Sequence, residues 1–341
     1  MKFLLVASLL LSTAFAQWQP IPVPTTAGLR GLSVVNDRVL WASGTGGTVI
    51  RSSDAGEHWQ MLAVPGAANL DLRGVYAFDE MSAVIMSSGK GEDGQSRLYR
   101  TTDGGKNWTQ VFEEKAPGSF FDAIAFSDRE HGLVVGDPVD GHFAVYRTED
   151  AGVTWKPVPA KNSPAALANE GAFAASNSCL VVRGEDAWFA TGGATVARVF
   201  RSKDRGRTWS VAETPLRPQN ASTGIFSLAF RDARHGIAVG GDYAHDTASP
   251  APNVMITDDG GANWKTAGAT DPAGLFFSGV AFAPDATVLA VGSAGENASD
   301  HRNQWRSAGK ENFSAVRFTP SGDAWAVGPK GAVARRSFQK R

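Results

Sequence analysis

Thr101-Thr102-Asp103-Gly104-Gly105-Lys106-Asn107-Trp108 decides how this chain is read, because four further stretches obey the same Ser/Thr-x-Asp-x-Gly-x-x-Trp pattern. They run from Ser52 to Trp59, Thr148 to Trp155, Ser202 to Trp209 and Thr257 to Trp264. The aspartates Asp54, Asp103, Asp150, Asp204 and Asp259 stand 49, 47, 54 and 55 residues apart. Self-similarity at such a spacing marks an array of one supersecondary unit, and this period suits a four-stranded propeller blade. Within each octapeptide the hydroxyl and the carboxylate suit backbone N–H groups across a tight turn. The glycine suits a positive φ, and the tryptophan buries a large flat face between sheets. Asp54 with Trp59, Asp103 with Trp108, Asp150 with Trp155, Asp204 with Trp209 and Asp259 with Trp264 are therefore read as structural pairs; five equivalent copies cannot all face one catalytic site.

A second element precedes each octapeptide: apolar-x-apolar, a turn, then an apolar run ending in glycine. Ile124-Ala125-Phe126 to Gly136, Leu228-Ala229-Phe230 to Gly240, Val280-Ala281-Phe282 to Gly292 and Val316-Arg317-Phe318 to Gly328 fit it, and looser copies begin at Leu32, Val75 and Phe173. That makes seven units. The predicted fold is all-β, a seven-bladed β-propeller of four-stranded antiparallel blades. Unit six ends in Asp300-His301-Arg302-Asn303-Gln304-Trp305, a decayed octapeptide, and unit seven runs from Phe313 to about Phe338 without a tryptophan. Trp18-Gln19-Pro20-Ile21-Pro22-Val23 resembles Trp155-Lys156-Pro157-Val158, so residues 17 to 24 are expected to supply the outer strand of the seventh blade. Such closure removes exposed strand edges. All ten tryptophans then have a place in the repeat.

The first 16 residues read as a signal peptide: Met1-Lys2, an apolar run from Phe3 to Leu11, and Ala14-Phe15-Ala16 before Gln17. Residues 17–341 form the propeller domain in this reading, exported to a periplasmic or extracellular compartment. The apolar run is too short to cross a membrane, and no later stretch approaches ~20 apolar residues. The 33 basic and 34 acidic residues give a net charge of −1, which argues against a nucleic-acid binder. The single cysteine, Cys179, excludes an internal disulfide and a multi-cysteine metal site. No glycine-rich dinucleotide turn is present, so no cofactor is expected.

Propeller ligands sit over the central channel, which makes the residues two before each inner-strand anchor candidates for binding: Arg30, Arg73 and Asp122. Glu170 and Asn177 flank the fourth inner strand. The longest insertion, from Gly241 to Pro252, adds Asp242, Tyr243 and His245, since long irregular loops carry function more often than framework does. Asp242, His245 and Asp246 are close metal-type donors, but on a polar loop their ordinary state is solvated and no metal is assigned. His131 and His235 precede glycines in equivalent turns and read as structural. Sequons stand at Asn107, Asn220, Asn297 and Asn312.

The octapeptide resembles the BNR or Asp-box repeat of sialidases, some other glycosidases and sortilin-type receptors. The longer unit, with Arg100 to Trp108 as its type, resembles the photosystem II stability/assembly factor family and its bacterial relatives. That resemblance implies a non-catalytic scaffold that holds another protein during assembly, using an arginine-rich surface, and a monomer is expected. The competing expectation is a secreted glycoside hydrolase, sialidase-like or another Asp-box glycosidase. A sialidase needs a tyrosine nucleophile paired with a glutamate, an acid/base aspartate and an arginine triad. Of the four tyrosines, Tyr99 and Tyr146 share a repeat position, Tyr76 is on an inner strand and only Tyr243 is off-repeat.

Overall fold

The computed structural model describes residues 17–249, 252–268, 274–299 and 304–337. The proposed leader, Asp300 to Asn303 of the sixth unit and the end of unit seven at Phe338 lie outside the described residues. Seven four-stranded antiparallel sheets follow one another around a ring. Their inner strands are Leu29–Val34, Asp71–Ala77, Phe121–Phe126, Leu180–Arg183, Thr223–Phe230, Gly279–Phe282 and Ala315–Phe318. Among the described residues helical structure is limited to three short 3-10 turns, and no helix is long and apolar enough to cross a membrane.

The ring closes as the sequence foretells. Gln19–Pro20 pairs antiparallel with Val333–Arg336, Gln19 opposite Arg335 and Pro20 opposite Ala334. The paired stretch is shorter than residues 17 to 24, because Pro20, Pro22 and Pro24 have no N–H to donate to a ladder. Trp18 supplements it. Its indole donates to both oxygens of Glu296 at 2.9 and 3.0 Å, its ring meets Phe313 edge-on at 5.0 Å, and the Arg336 guanidinium lies 4.3 Å from its centroid. Arg336 is itself ion-paired with Glu296, whose carboxyl burial pushes up and Arg336 pulls back.

One boundary differs from the sequence reading. The fourth inner strand is Leu180–Arg183 and does not begin at Phe173, whose ring instead stacks on Phe226 with centroids 3.9 Å apart. Register shows the equivalence: Ala187 opposes Ser202 as Gly132 opposes Thr148, which aligns Leu180 with Ile124. An apolar-x-apolar motif cannot tell an inner strand from an insertion packed on a glycine surface, and here Gly192 and Gly224 leave the space that the Phe173 ring occupies.

The apolar core lies between blades. Trp41, Val49, Leu72, Val75 and Ile85 pack blade one on blade two, and Trp188, Leu228, Phe230 and Ala238 pack blade four on blade five. The octapeptides fasten these interfaces. In each, the hydroxyl donates to the aspartate and accepts the glycine N–H, while the aspartate accepts the N–H four residues on; Ser52, Asp54, Gly56 and His58 do so at 2.8, 2.9 and 3.0 Å. The same bonds recur at Thr101, Thr148, Ser202 and Thr257. The donors hold Asp54, Asp103 and Asp259 down at about 2. Gly56 has φ +84°, and a Cβ there would lie 2.2 Å from the Trp325 ring of the preceding blade. The turn therefore needs glycine twice over, for its φ and for the close approach.

Candidate functional site

The first turn of each inner strand opens on the face that carries the blade-to-blade connectors, whereas the octapeptides occupy the opposite face. A segment ahead of the fourth inner strand crosses the channel between them. Asn177 holds it: the amide oxygen accepts the Ile124 N–H at 2.8 Å, and the amide nitrogen donates to the carbonyls of Ile124 and Val75 at 3.2 and 3.4 Å. Ser176 donates to the Ser278 carbonyl at 2.5 Å, and Ser178 shares a hydrogen bond with Ser227 at 2.7 Å. Blades two, three, five and six are thus tied to one short plug. Asn177 adopts φ +54°, a conformation asparagine tolerates better than most residues. Gly74 makes room for it, since a Cβ there would meet the Asn177 amide oxygen at 2.9 Å.

On the connector side of the plug the structure brings Arg30, Arg73 and Asp122 together. Arg73 pairs with Asp71 at 2.7 Å, donates to the Ala174 carbonyl at 3.5 Å and lies over the Phe120 ring. Arg30 has no hydrogen-bond or ion-pair partner among the described residues; burial and then the charge of Arg73 lower its pKa, and Asp71 only partly opposes them. Asp122 is 1% exposed and neither carboxylate oxygen has a partner. Burial and then the charge of Asp137 push its pKa well up, and Arg73 opposes them. Asp137 accepts the Ala172 N–H at 3.0 Å and is raised to about 6 by burial. Cys179 is buried beside this acid pair, its thiol pushed up by burial and then by Asp122.

The remaining candidates are engaged inside the fold. Glu170 takes two bonds from Arg198, at 2.8 and 2.5 Å, one from the Thr191 hydroxyl and one from the Leu167 N–H, and its side chain is sealed from solvent. Asp242 accepts from Ser222, Asn220, the Ala244 N–H and the His245 ring, so it organises the insertion; these donors hold its pKa far below the usual range despite burial. Tyr243 is exposed at the tip, edge-on to Phe226 at 5.9 Å. His131 and His235 bond Asp128 and Asp232 within their turns. Asn297 of the sequons is fully buried.

A family model, the DUF6242 beta propeller domain, matches residues 7–237, more than half of the chain. The chain belongs to that family. No curated protein matches. Among solved structures it is similar to "YCF48 bound to D1 peptide" (TM-score 0.67, 19% identity, 94% of this chain and 97% of that one). It is also similar to YCF48 from Cyanidioschyzon merolae (TM-score 0.67, 18% identity, 94% and 99%). A GH74 xyloglucanase from Xanthomonas campestris aligns with TM-score 0.62 and 15% identity over 95% of this chain, which spans 54% of that enzyme. At these identities the likeness is one of fold.

In this member of the DUF6242 family, a tyrosine–glutamate pair does form, away from the channel. Tyr146 donates its hydroxyl to Glu114 between blades two and three, among Phe112 and Phe121. Burial and the glutamate raise the phenol's pKa, the reverse of what a nucleophile needs. Asp54, Glu57 and His58 have ligand atoms within 4.8 Å of one another, but Glu57 and His58 are exposed and Asp54 serves its own turn. Sequence reasoning missed Asp137 and the plug. The polar run Ser176-Asn177-Ser178, placed directly before a buried strand, was the available signal for the plug.

Proposed function

We propose that this propeller is a non-catalytic scaffold that docks a polypeptide segment of another protein on its connector face, with a carboxylate of that segment seated on Arg30. The observation that carries this reading is the pair of neighbouring arginines, Arg30 and Arg73, that shares the single carboxylate of Asp71 and leaves Arg30 unpaired at the channel mouth. Two guanidiniums held side by side repel one another, and an incoming carboxylate relieves both that repulsion and the partial desolvation of Arg30. The plug beneath gives the mouth a floor fixed by five hydrogen bonds, so little order has to be gained on binding. The fold shared with the YCF48 structure bound to D1 peptide supports a polypeptide as ligand.

The scaffold is proposed to act as a monomer, without cofactor or nucleic acid, in a periplasmic or extracellular compartment after loss of residues 1 to 16. A hydrolase would need two carboxylates facing an open cleft; Asp122 is sealed from solvent. The test is fluorescence anisotropy with a labelled Glu-rich decapeptide, its Gln-substituted twin and a Lys-rich control. Preferential binding of the Glu peptide, weakened about tenfold by Arg30→Gln and by added salt, is expected. Equal binding of the Glu and Gln peptides, or turnover of xyloglucan or a sialoside that Asp122→Asn abolishes, would overturn the proposal.

A further inference from the structure

The plug leaves a second, separate space. On the octapeptide side the channel is a cavity of about 770 Å³ that ends blindly on Asn177 and Ser178. Its walls are the second halves of the inner strands, and Tyr76, Phe126, Phe230, Phe282 and Phe318 line it. The volume falls in the range that holds small organic ligands.

One residue breaks the symmetry of these walls. By register, the position between the two apolar anchors of each inner strand is Ser33, Tyr76, Ala125, Val181, Ala229, Ala281 and Arg317, each opposite a second-strand residue of the same rank. Six of the seven are uncharged. Arg317 is the one charged residue at this rank, and it reaches across to the plug. Its guanidinium donates to its neighbour's carbonyl on Val316 at 2.9 Å and, at 3.5 Å, to the carbonyl of Asn177. No carboxylate pairs with it among the described residues. Burial alone lowers its pKa to about 10, with no acidic group raising it. The nearby acids are committed elsewhere: Asp128 bonds the His131 turn and Asp232 pairs with Arg231 and His235. Two further cations line the cavity: Arg183, which donates to the Phe230 carbonyl at 3.3 Å, and Arg231, which is paired with Asp232 at 3.4 Å.

A charged guanidinium kept inside an aromatic-walled cavity with two carbonyl partners has donors to spare, since arginine offers five N–H groups. A planar carboxylate matches the fork it presents, and an apolar body matches the walls. We propose that the octapeptide-side cavity is a binding site for a small organic acid with an aromatic or aliphatic body, its carboxylate held by Arg317 and its body lying along Tyr76, Phe126 and Phe282. This site is independent of the polypeptide-docking face, from which the plug separates it.

The probe is 4-phenylbutyrate, measured by calorimetry and ligand-observed NMR on the mature chain, with 4-phenylbutan-1-ol as its uncharged counterpart and inorganic phosphate as an anion without a body. The acid is expected to bind at millimolar concentration or tighter and at least about tenfold better than either control. Arg317→Met should remove that preference, whereas Arg317→Lys keeps part of it. Should Arg317→Met fail to fold, the acid-to-alcohol ratio in the wild type and in Arg317→Lys decides. No binding of the acid, equal binding of acid and alcohol, or a preference that survives in Arg317→Met would overturn the proposal. Arg30→Gln should leave this binding unchanged, so failure here and failure of the polypeptide reading are read apart.

Discussion

Replacing Asp137 by asparagine should make the propeller more stable at neutral pH and leave it unchanged in acid. The carboxyl sits at about 6 in the folded chain against an ordinary 3.8, because burial penalises its ionised form more than the Ala172 N–H stabilises it. A folded pKa above the unfolded one means that the native state holds its proton longer. Below about pH 4 the acid is neutral in both states and costs nothing. Between about pH 4 and 6 the unfolded chain releases its proton first, so stability falls. Above about pH 6 the loss is complete. At about 1.36 kcal/mol for each tenfold step in proton affinity, the gap from 3.8 to about 6 amounts to ~3 kcal/mol. Asparagine keeps an oxygen for the Ala172 N–H and cannot ionise. Neighbouring Asp122 titrates with Asp137 as a coupled pair, and both are raised, so the wild-type curve is expected to be broad. Urea unfolding followed by tryptophan fluorescence at pH 4, 5, 6 and 7.5 reads the effect as a difference between wild type and Asp137→Asn that grows with pH. Parallel curves, with the same difference at pH 4 and pH 7.5, would refute the assignment of a raised pKa to Asp137 beside the plug.

Three further substitutions probe the framework. Trp18→Ala removes the ring that joins the chain ends and strips the indole donor from Glu296, and should cost roughly 3–5 kcal/mol in urea unfolding. Gly56→Ala places a methyl group 2.2 Å from the Trp325 ring at φ +84° and should cost roughly 2–4 kcal/mol, whereas Gly66→Ala, at φ +74° with open space around it, should cost only about 1 kcal/mol; thermal melts of the two compare strain with and without the clash. Arg198→Met leaves Glu170 sealed without its counter-charge and should destabilise by roughly 3–5 kcal/mol, which a chemical denaturation curve resolves.

Architecture was legible because the sequence repeats its own constraints. The octapeptide names a hydroxyl, a carboxylate, a glycine and a tryptophan at fixed spacing, and each has the partner its chemistry requires: Thr101 on Asp103, Gly105 on Thr101, Asn107 on Asp103. Trp18 could be placed at the ring closure because it fills the same slot. The site was less legible for the same reason. Arg30, Arg73 and Asp122 were found from their offset to the anchors, but the offset does not say that Asp122 is sealed and Arg30 left unpaired, which depends on which neighbours the curvature of the ring brings close. Glu170 and Asp242 look like ligand-seeking acids in sequence; their partners Arg198, 28 residues on, and Ser222, 20 residues before, are long-range and carry no pattern. Phe173 misled because an apolar ring lying over Gly192 and Gly224 satisfies the same motif as a strand anchor.

The departures from the repeat are where asymmetry, and with it recognition, has to reside. A ring of seven equivalent blades presents the same chemistry to the channel from every side and so cannot orient a ligand. Arg317 among six uncharged equivalents, and Asn177 reaching across to Val75 and Ile124, break that equivalence from opposite sides of one plug. Neither residue is needed to hold its own blade: Arg317 faces the channel at a position where alanine serves in three other blades, and Asn177 precedes its strand. The plug converts an open pore into two blind recesses of different character, one arginine-rimmed beside two carboxyls with raised pKa values, the other aromatic with Arg317 against the plug. Two such recesses on one rigid frame can be occupied independently, and Arg73 and Arg317 touch the plug from either side, at the carbonyls of Ala174 and Asn177. These are two separate contacts on two different carbonyls, so a carboxylate seated on Arg30 leaves the Arg317 bond to Asn177 in place, and the two recesses are expected to fill without altering one another's affinity.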